Sequence, residues 1–348
     1  FSTDVFCFAN PDYNEKLPKG VLHPKRTFKG VVSGVRDYGN RMGIPTINGS
    51  ITFHNSYLAP LVYCGTAGIM PRWAVKKSPK SGDLIVVVGG KTGKDGLHGA
   101  TFSSTELSEG TTTSVVQIGN AIEEKKMLDA ILEARDRKLY NAITDCGAGG
   151  FSSAVGEMGE ELGAEVELSE VPLKHTGMKP WEIWLSESQE RMVVSVPEKN
   201  LQKLREICEK EGTGIAVIGR FTTTKKLIVK HKSKTVAELG MDFLHNGLPK
   251  QKRKAVYRIK NELKKQPLQL RQRRRSASDY NNALKKLLGM PSIASKEWVI
   301  RQYDHEVQAN TIIKPLTGAA NDGPSDASVV MPIFGSRNVS TTSSRRLM

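Results

Sequence analysis

The sequence predicts an α/β fold in which a sheet packs against helices. Leu84 to Val88 is a run of apolar, mostly β-branched residues, which reads as a fully buried strand. From Lys77 onward strand-like and helix-like segments alternate, which makes a layer of sheet against helices. Glycines at 89, 90, 93, 96 and 99 follow the buried strand. Glycine permits positive φ and exposes backbone N–H groups, so a strand emptying into such a loop can cradle phosphate.

Taken in order, residues 1–27 are rich in Pro, Asp and Asn and read as irregular. Lys29 to Met42 carries Val31, Val32, Val35 and Tyr38 at helical spacing, with Gly43 to end the helix. Ile44 to Phe53 and Leu61 to Met70 read as strands. After the glycine loop, Ser103 to Thr113 is rich in Ser, Thr, Glu and Gly. A strong helix is predicted from Ala121 to Arg137, opened by a capping box of Asn120 and Glu123. Leu139 to Thr144 reads as a strand ending at Asp145, followed by Gly147, Gly149, Gly150 and a helix from Phe151 to Leu162. Glu165 to Leu168 and Arg191 to Val196 read as strands, Leu201 to Gly212 as a helix, and Ile215 to Leu227 as two strands. A charged linker then runs to about Tyr280, and Asn282 to Gly289 looks helical.

The 348 residues suffice for two domains of ordinary size. With 38% hydrophobic and 25% charged residues the chain has the composition of a soluble globular protein. No apolar run reaches the length of a membrane span, so no membrane is expected. The first residues lack a signal-peptide pattern and an initiator Met, and the chain reads as cut from something longer. Cys7, Cys64, Cys146 and Cys208 are scattered, which suggests neither a disulfide framework nor a zinc site, and fits a reducing cytoplasm. The net charge of +15 invites a nucleic-acid reading. Much of the excess lies between Lys250 and Arg275, with only Tyr257 interleaved, so the run reads as a solvated linker and not as a stacking surface.

The glycine loop matches neither a Walker A nor a Rossmann pattern: position 85 is Ile, and the spacing is Gly93, Gly96, Gly99. Its bland alternative is a long turn between strands. Within it, Gly90, Lys91, Thr92, Gly93, Gly96, His98 and Gly99 are the candidate phosphate-binding set. His98 is a tempting base, yet nothing in the pattern makes it one. Asp145 stands at a strand end beside a helix start, where ligands of α/β sheets collect and where Mg²⁺ needs a carboxylate. Its alternative is a helix cap. Gln117 precedes a helix and can both donate and accept hydrogen bonds; a surface glutamine is the plain alternative. Glu187, Ser188 and Gln189 place hydrogen-bonding side chains together between an apolar segment and a strand, or form a polar turn.

The segment GGKTGKDGLHGATFSS resembles the signature of the phosphoribosylformylglycinamidine synthase family, within the aminoimidazole-ribonucleotide synthetase-like superfamily. GVVSGVRDYGNRMGIPTINGSITF, VVQIGNAIEEKKMLDAILEARD, TDCGAGGFSSAVGEMGEELGAEVELSEVPL, IWLSESQERMVVSVP, FLHNGLPKQKRKAVY and SIASKEWVIRQYDHEVQANT match in the same order. The likeness is weakest at 250–285 and after about 335. It implies an incomplete tandem repeat: 1–76 the latter part of a first domain, 77–235 a glycine-loop domain, 236–288 a basic linker, and 289–348 the opening of a second half. It implies ATP-dependent conversion of formylglycinamide ribonucleotide to the formylglycinamidine ribonucleotide. The ammonia comes from a glutaminase subunit or domain, with a small bridging subunit as a further candidate partner. The same resemblance implies Mg²⁺ at Asp145, and substrate contacts from Gln117, Glu187, Ser188 and Gln189. The family's proposed catalytic His and its ATP-contacting Tyr and Lys would lie upstream of Phe1, so no catalytic residue is assigned here and the piece alone is expected to be inactive or impaired. The competing readings are a basic nucleic-acid-binding protein using 250–275, and a sister ATP-using enzyme of the superfamily, against which the ESQER and FLHNGLP segments argue.

Overall fold

The computed structural model describes residues 1–97, 119–249, 251–257, 276–335 and 340–343. Strand β1 (Ser2–Phe8) leads into helix α1 (Pro24–Met42), and strands β2 (Thr46–Phe53) and β3 (Leu61–Thr66) follow. They form a three-stranded sheet in the order β2-β1-β3, with β1 parallel to β2 and antiparallel to β3. The strand at Ser2–Phe8 corrects the irregular reading of 1–27. Its alternation is present in STDVFCF, with Asp4, Phe6 and Phe8 buried and Ser2, Thr3, Val5 and Cys7 half-buried. Helix α1 starts five residues earlier than expected because Pro24 occupies its first turn and the His23 side chain accepts from the Lys25 amide. Gly43 ends it in the left-handed conformation, as read from the sequence.

The larger sheet has seven strands in the order β10-β9-β6-β8-β4-β7-β5. These are β4 (Leu84–Gly89), β5 (Ala142–Asp145), β6 (Ala164–Glu167), β7 (Arg191–Val196), β8 (Ile215–Phe221), β9 (Lys226–His231) and β10 (Lys234–Gly240). Strand β4 is central, antiparallel to both neighbours, β7 and β8; β6 and β9 form a parallel pair. The continuous apolar run of β4 follows from its position, since both of its faces are covered. Ile85 and Val87 join a core with Phe151, Val155, Met158, Ile183 and Val193. Leu84, Val86 and Val88 join another with Met127, Ala130, Ile131, Leu204 and Ile207. Helices α2 (Ala121–Asp136) and α5 (Leu201–Glu211) therefore lie on one side, and α3 (Phe151–Gly159) and α4 (Pro180–Leu185) on the other. The Asn120 side chain accepts from the Glu123 amide at 3.5 Å, the forward half of the expected capping box.

The end of the chain returns to its beginning. Residues 290–330 pack on the small sheet, where Val299 and Tyr303 complete a core with Phe6, Phe8 and Val32. The Ser292 hydroxyl accepts from the Phe53 amide at 2.9 Å, Arg36 donates to the Gln302 side chain at 2.9 Å, and the Ser328 hydroxyl donates to the Ile47 carbonyl at 2.7 Å. Phe28 lies edge-on to Trp298 with ring centroids 5.6 Å apart. Between these blocks α6 (Ala277–Leu288) has no buried residue, and residues 251–257 of the basic run are exposed, while 250 and 258–275 lie outside the described residues. Among the described residues no helix is long and apolar enough to cross a membrane.

Buried polar groups mark where this packing is tested. The Asp83 carboxylate, 5% exposed, accepts from the Lys80 amide at 3.0 Å, Asn141 at 2.7 Å and Ser195 at 2.7 Å. Asp83→Ala leaves those donors without a partner and is expected to cost the large domain about 3 kcal/mol, measured by urea unfolding. Asp4 is the opposite case: no nitrogen or oxygen donor reaches its carboxylate among the described residues. Burial pushes it from 3.8 up to about 6, and the Cys64 thiol offsets only part of this. The folded state thus holds a proton that the unfolded state releases, so stability falls as pH rises from 4 through 6. The loss is expected to approach about 3 kcal/mol by pH 7, and Asp4→Asn should abolish that slope in pH-resolved urea titrations.

Candidate functional site

Strand β4 ends at Gly89, and the loop that follows is strapped down along its described length. The Gly90 amide donates to the Glu190 carbonyl at 2.8 Å. Thr92 donates its amide to the Pro172 carbonyl at 2.8 Å and accepts from the Lys174 amide at 2.7 Å. The Gly93 amide donates to the Ser188 hydroxyl at 2.8 Å, and that hydroxyl in turn donates to the Asp95 carboxylate. Lys174 pairs with Asp95 at 3.1 Å, and Lys94 with Glu182 at 3.1 Å. Gly96 has a φ of +64°, and a Cβ there would lie 2.5 Å from the Glu187 Cβ, so only glycine fits this approach.

The second loop leaves β5 at Asp145. The Asp145 carboxylate is exposed and takes no hydrogen bond or ion pair from the described residues. Gly150 turns the chain into α3 with a φ of +56°, and its missing Cβ would stand 2.1 Å from the Ser186 carbonyl oxygen. That closeness lets the Glu187 carboxylate accept from the Gly149 amide at 3.1 Å. Glu187 also donates its amide to the Asp95 carbonyl at 2.8 Å. The glycine loop, the 187–189 segment and the Asp145 loop therefore meet at one end of the sheet, with Glu187 touching both loops.

Beneath them lies Arg191, 3% exposed. Its guanidinium donates to the Ser188 carbonyl at 2.9 Å, the Thr92 hydroxyl at 2.8 Å and the Ser186 carbonyl at 2.6 Å. It also stacks 4.6 Å from the Phe151 ring centroid. Burial lowers its pKa. Beside it, the Glu190 carboxylate, set by a positive φ of 59°, accepts from the Asn120 amide at 2.8 Å and from the Tyr38 hydroxyl at 3.3 Å. Tyr38 also donates to Glu124, whose pKa is raised by burial and then by the like charge of Glu190. This ties α1 of the small sheet to α2 of the large one. Burial pushes the Cys146 thiol up to about 11, which keeps it protonated and unreactive.

Of the residues singled out from sequence, the structure gathers Gly90, Thr92, Gly93, Gly96, Glu187, Ser188 and Asp145 around these contacts. Lys91 and Gln189 are exposed at the rim, with the Gln189 amide donating to the Glu187 carbonyl at 3.2 Å. His98, Gly99 and Gln117 lie outside the described residues. Ser188 turns inward and is fully buried, so its hydroxyl serves the loop. Sequence reasoning passed over Asp95, Lys174 and Arg191. A cation heading an apolar strand, as Arg191 does in RMVVSV, was the available signal. Among the described residues no three His, Cys, Asp or Glu side chains cluster as a metal site.

Residues 80–232 match the family described as AIR synthase related protein, C-terminal domain. The PurL subunit of phosphoribosylformylglycinamidine synthase from Thermoplasma acidophilum is 39% identical over 344 residues, 96% of this chain and 44% of that relative. The corresponding subunit of Methanothermobacter marburgensis is 39% identical over 317 residues, 88% of this chain and 43% of that relative. T. maritima PurL complexed with ATP superposes with a TM-score of 0.67 at 25% identity, covering 95% of this chain and 46% of that one. The same protein complexed with FGAR superposes with a TM-score of 0.65 at 26% identity, covering 94% and 50%. The chain spans about half the length of the curated relatives it matches. Over most of its length, then, this chain is similar to the PurL subunit of phosphoribosylformylglycinamidine synthase, and its central residues 80–232 match the AIR synthase related C-terminal domain.

Proposed function

We propose that this chain binds ATP and formylglycinamide ribonucleotide for the ligase reaction of purine biosynthesis that yields formylglycinamidine ribonucleotide. The observation that carries the reading is the convergence of the glycine loop, Glu187 and the Asp145 loop at one sheet end. The names of its relatives, and neighbours complexed with ATP and with FGAR, support it. In that reaction the substrate amide oxygen takes the terminal phosphoryl group of ATP, and ammonia then displaces phosphate from the activated carbon. Such chemistry rests on positioning and on neutralising phosphate charge. Backbone N–H groups of the glycine loop, with Lys91 at its rim, would meet phosphate, and Glu187 with Gln189 would fix the ribonucleotide through hydrogen bonds. Gln117, His98 and Gly99 belong to the same proposed set.

Mg²⁺ fits one group here: Asp145 is exposed at a strand end and carries no partner among the described residues. Mg²⁺ needs only one or two carboxylates when phosphate oxygens complete its shell. Bound there, it would neutralise phosphate charge. The division of the chain at residues 76 and 288 belongs to the same reading, whereas the boundary expected at 235 falls inside β10, which pairs with β9, and Met241 joins the core of the large sheet, so the glycine-loop domain runs past 235. So does a glutaminase subunit as ammonia source, in keeping with a neighbour titled PurLQS from Thermotoga maritima, with a small bridging subunit as a further partner. A cytoplasmic location accords with four cysteines that are all unpaired.

Calorimetric titration of the full chain with ATP, with and without Mg²⁺, and with formylglycinamide ribonucleotide tests this. Both ligands are expected to bind, and a chain that binds neither sinks the reading. Glu187→Ala should weaken ribonucleotide binding about tenfold or more, the cost of an unpaired Gly149 amide and a lost contact. Asp145→Asn should remove most of the Mg²⁺ dependence of ATP affinity, while leaving thermal stability unchanged because its carboxylate supports nothing else in the described structure.

A further inference from the structure

Arg191 is a buried cation that the Asp95 and Glu190 carboxylates favour only from beyond ion-pair contact. No carboxylate lies within ion-pair distance of its guanidinium among the described residues. Removing a cation from water costs several kcal/mol, and three hydrogen bonds to neutral acceptors return only part of that. For packing alone an apolar side chain would serve better at this position. What the arginine supplies is reach: its planar fork meets acceptors on two separate segments at once. One acceptor, the Thr92 hydroxyl, belongs to the glycine loop; the other two, the Ser186 and Ser188 carbonyls, flank Glu187. The Phe151 ring at the start of α3 lies against the fork from a third segment, the one that follows Asp145.

We propose that Arg191 is a positioning residue that locks the glycine loop, the Glu187 segment and the start of α3 into one register, so that their ligand-facing groups are already in place. This deepens the proposed function and rests on it for the identity of the ligands, but not for the clamp itself. The geometry explains two neighbouring features. Ser186 and Ser188 turn their carbonyls onto the fork, which leaves the Ser188 hydroxyl free to accept from the Gly93 amide. The side chain of Glu187, between two carbonyls held from beneath, projects the other way, toward Gly96 and Gly149.

Amide hydrogen exchange on the full chain separates a clamp from an ordinary buried residue. Arg191→Lys keeps the charge and most of the volume but cannot span acceptors on two segments. It is expected to speed exchange at the Gly93 and Glu187 amides about tenfold or more. Leu204→Ala, in the opposite core layer, is the control: it should lower the melting temperature yet leave those amides unchanged. Thr92→Val, which removes one acceptor from the glycine loop at nearly constant volume, should speed exchange at the Glu187 amide across the gap, and it decides the matter if Arg191→Lys does not fold. Equal exchange at Gly93 and Glu187 in Arg191→Lys and Leu204→Ala, or an unchanged Glu187 amide in Thr92→Val, overturns the proposal. In the ligand arm, Arg191→Lys should weaken ATP or formylglycinamide ribonucleotide binding about tenfold, with no change in Leu204→Ala. If the unaltered chain binds neither ligand, the functional reading falls, and the exchange arm still decides the role of Arg191.

Discussion

Strand β4 has no face to spare for chemistry. Both of its sides are sealed, by Phe151 and Ile183 on one and by Met127 and Leu204 on the other. Hydrophobic burial of that kind stabilises the domain in proportion to the area removed from water, and it makes a polar side chain without a partner costly. Any group that must meet a charged ligand has to wait for the strand to finish. In this chain the waiting ends at Gly89, and the polar groups of interest crowd into the next few residues and the segments that touch them. The location of the candidate site is thus a consequence of how completely the centre of the sheet is covered.

The site itself is assembled by backbone more than by ion pairs. Glycine amides, serine hydroxyls and carbonyl oxygens make most of the contacts between its three segments, and the buried cation beneath them is met by dipoles. Fixed dipoles need no reorganisation when a charged group arrives, which is the property that makes such arrangements useful around phosphate. Exposed salt bridges elsewhere, such as Lys226 with Glu238, add little to stability, because solvent screens them.

Much of the fold was legible because its strongest signals are local. The apolar run at 84–88, the periodicity of Ala121–Asp136 and the glycine after α1 each act over a few residues. Strand β1 was missed because its edges are polar and a Pro- and Asn-rich loop follows it, which blurs a seven-residue alternation. At the site, glycines, Asp145 and the 187–189 segment stood out by residue type and spacing. Arg191 and Asp95 did not, because their partners are distant in sequence: Arg191 reaches Thr92 across 99 positions, and Ser188 reaches Asp95 across 93. No window along the chain contains that information, and the burial that makes Arg191 unusual exists only once the sheet has formed.

The return of the chain to its own beginning has a consequence for synthesis. The core of the small sheet takes Val299 and Tyr303 from the far end, and Arg36 finds Gln302 across 266 positions. Closing so large a loop is entropically costly, and contacts of this separation form late. During synthesis, the core of the small sheet must therefore stay incomplete while the whole glycine-loop domain is translated. Through that interval Phe28 lacks its Trp298 neighbour and the Phe6–Phe8–Val32 cluster lacks Val299 and Tyr303, apolar surface that a stalled nascent chain offers to chaperones.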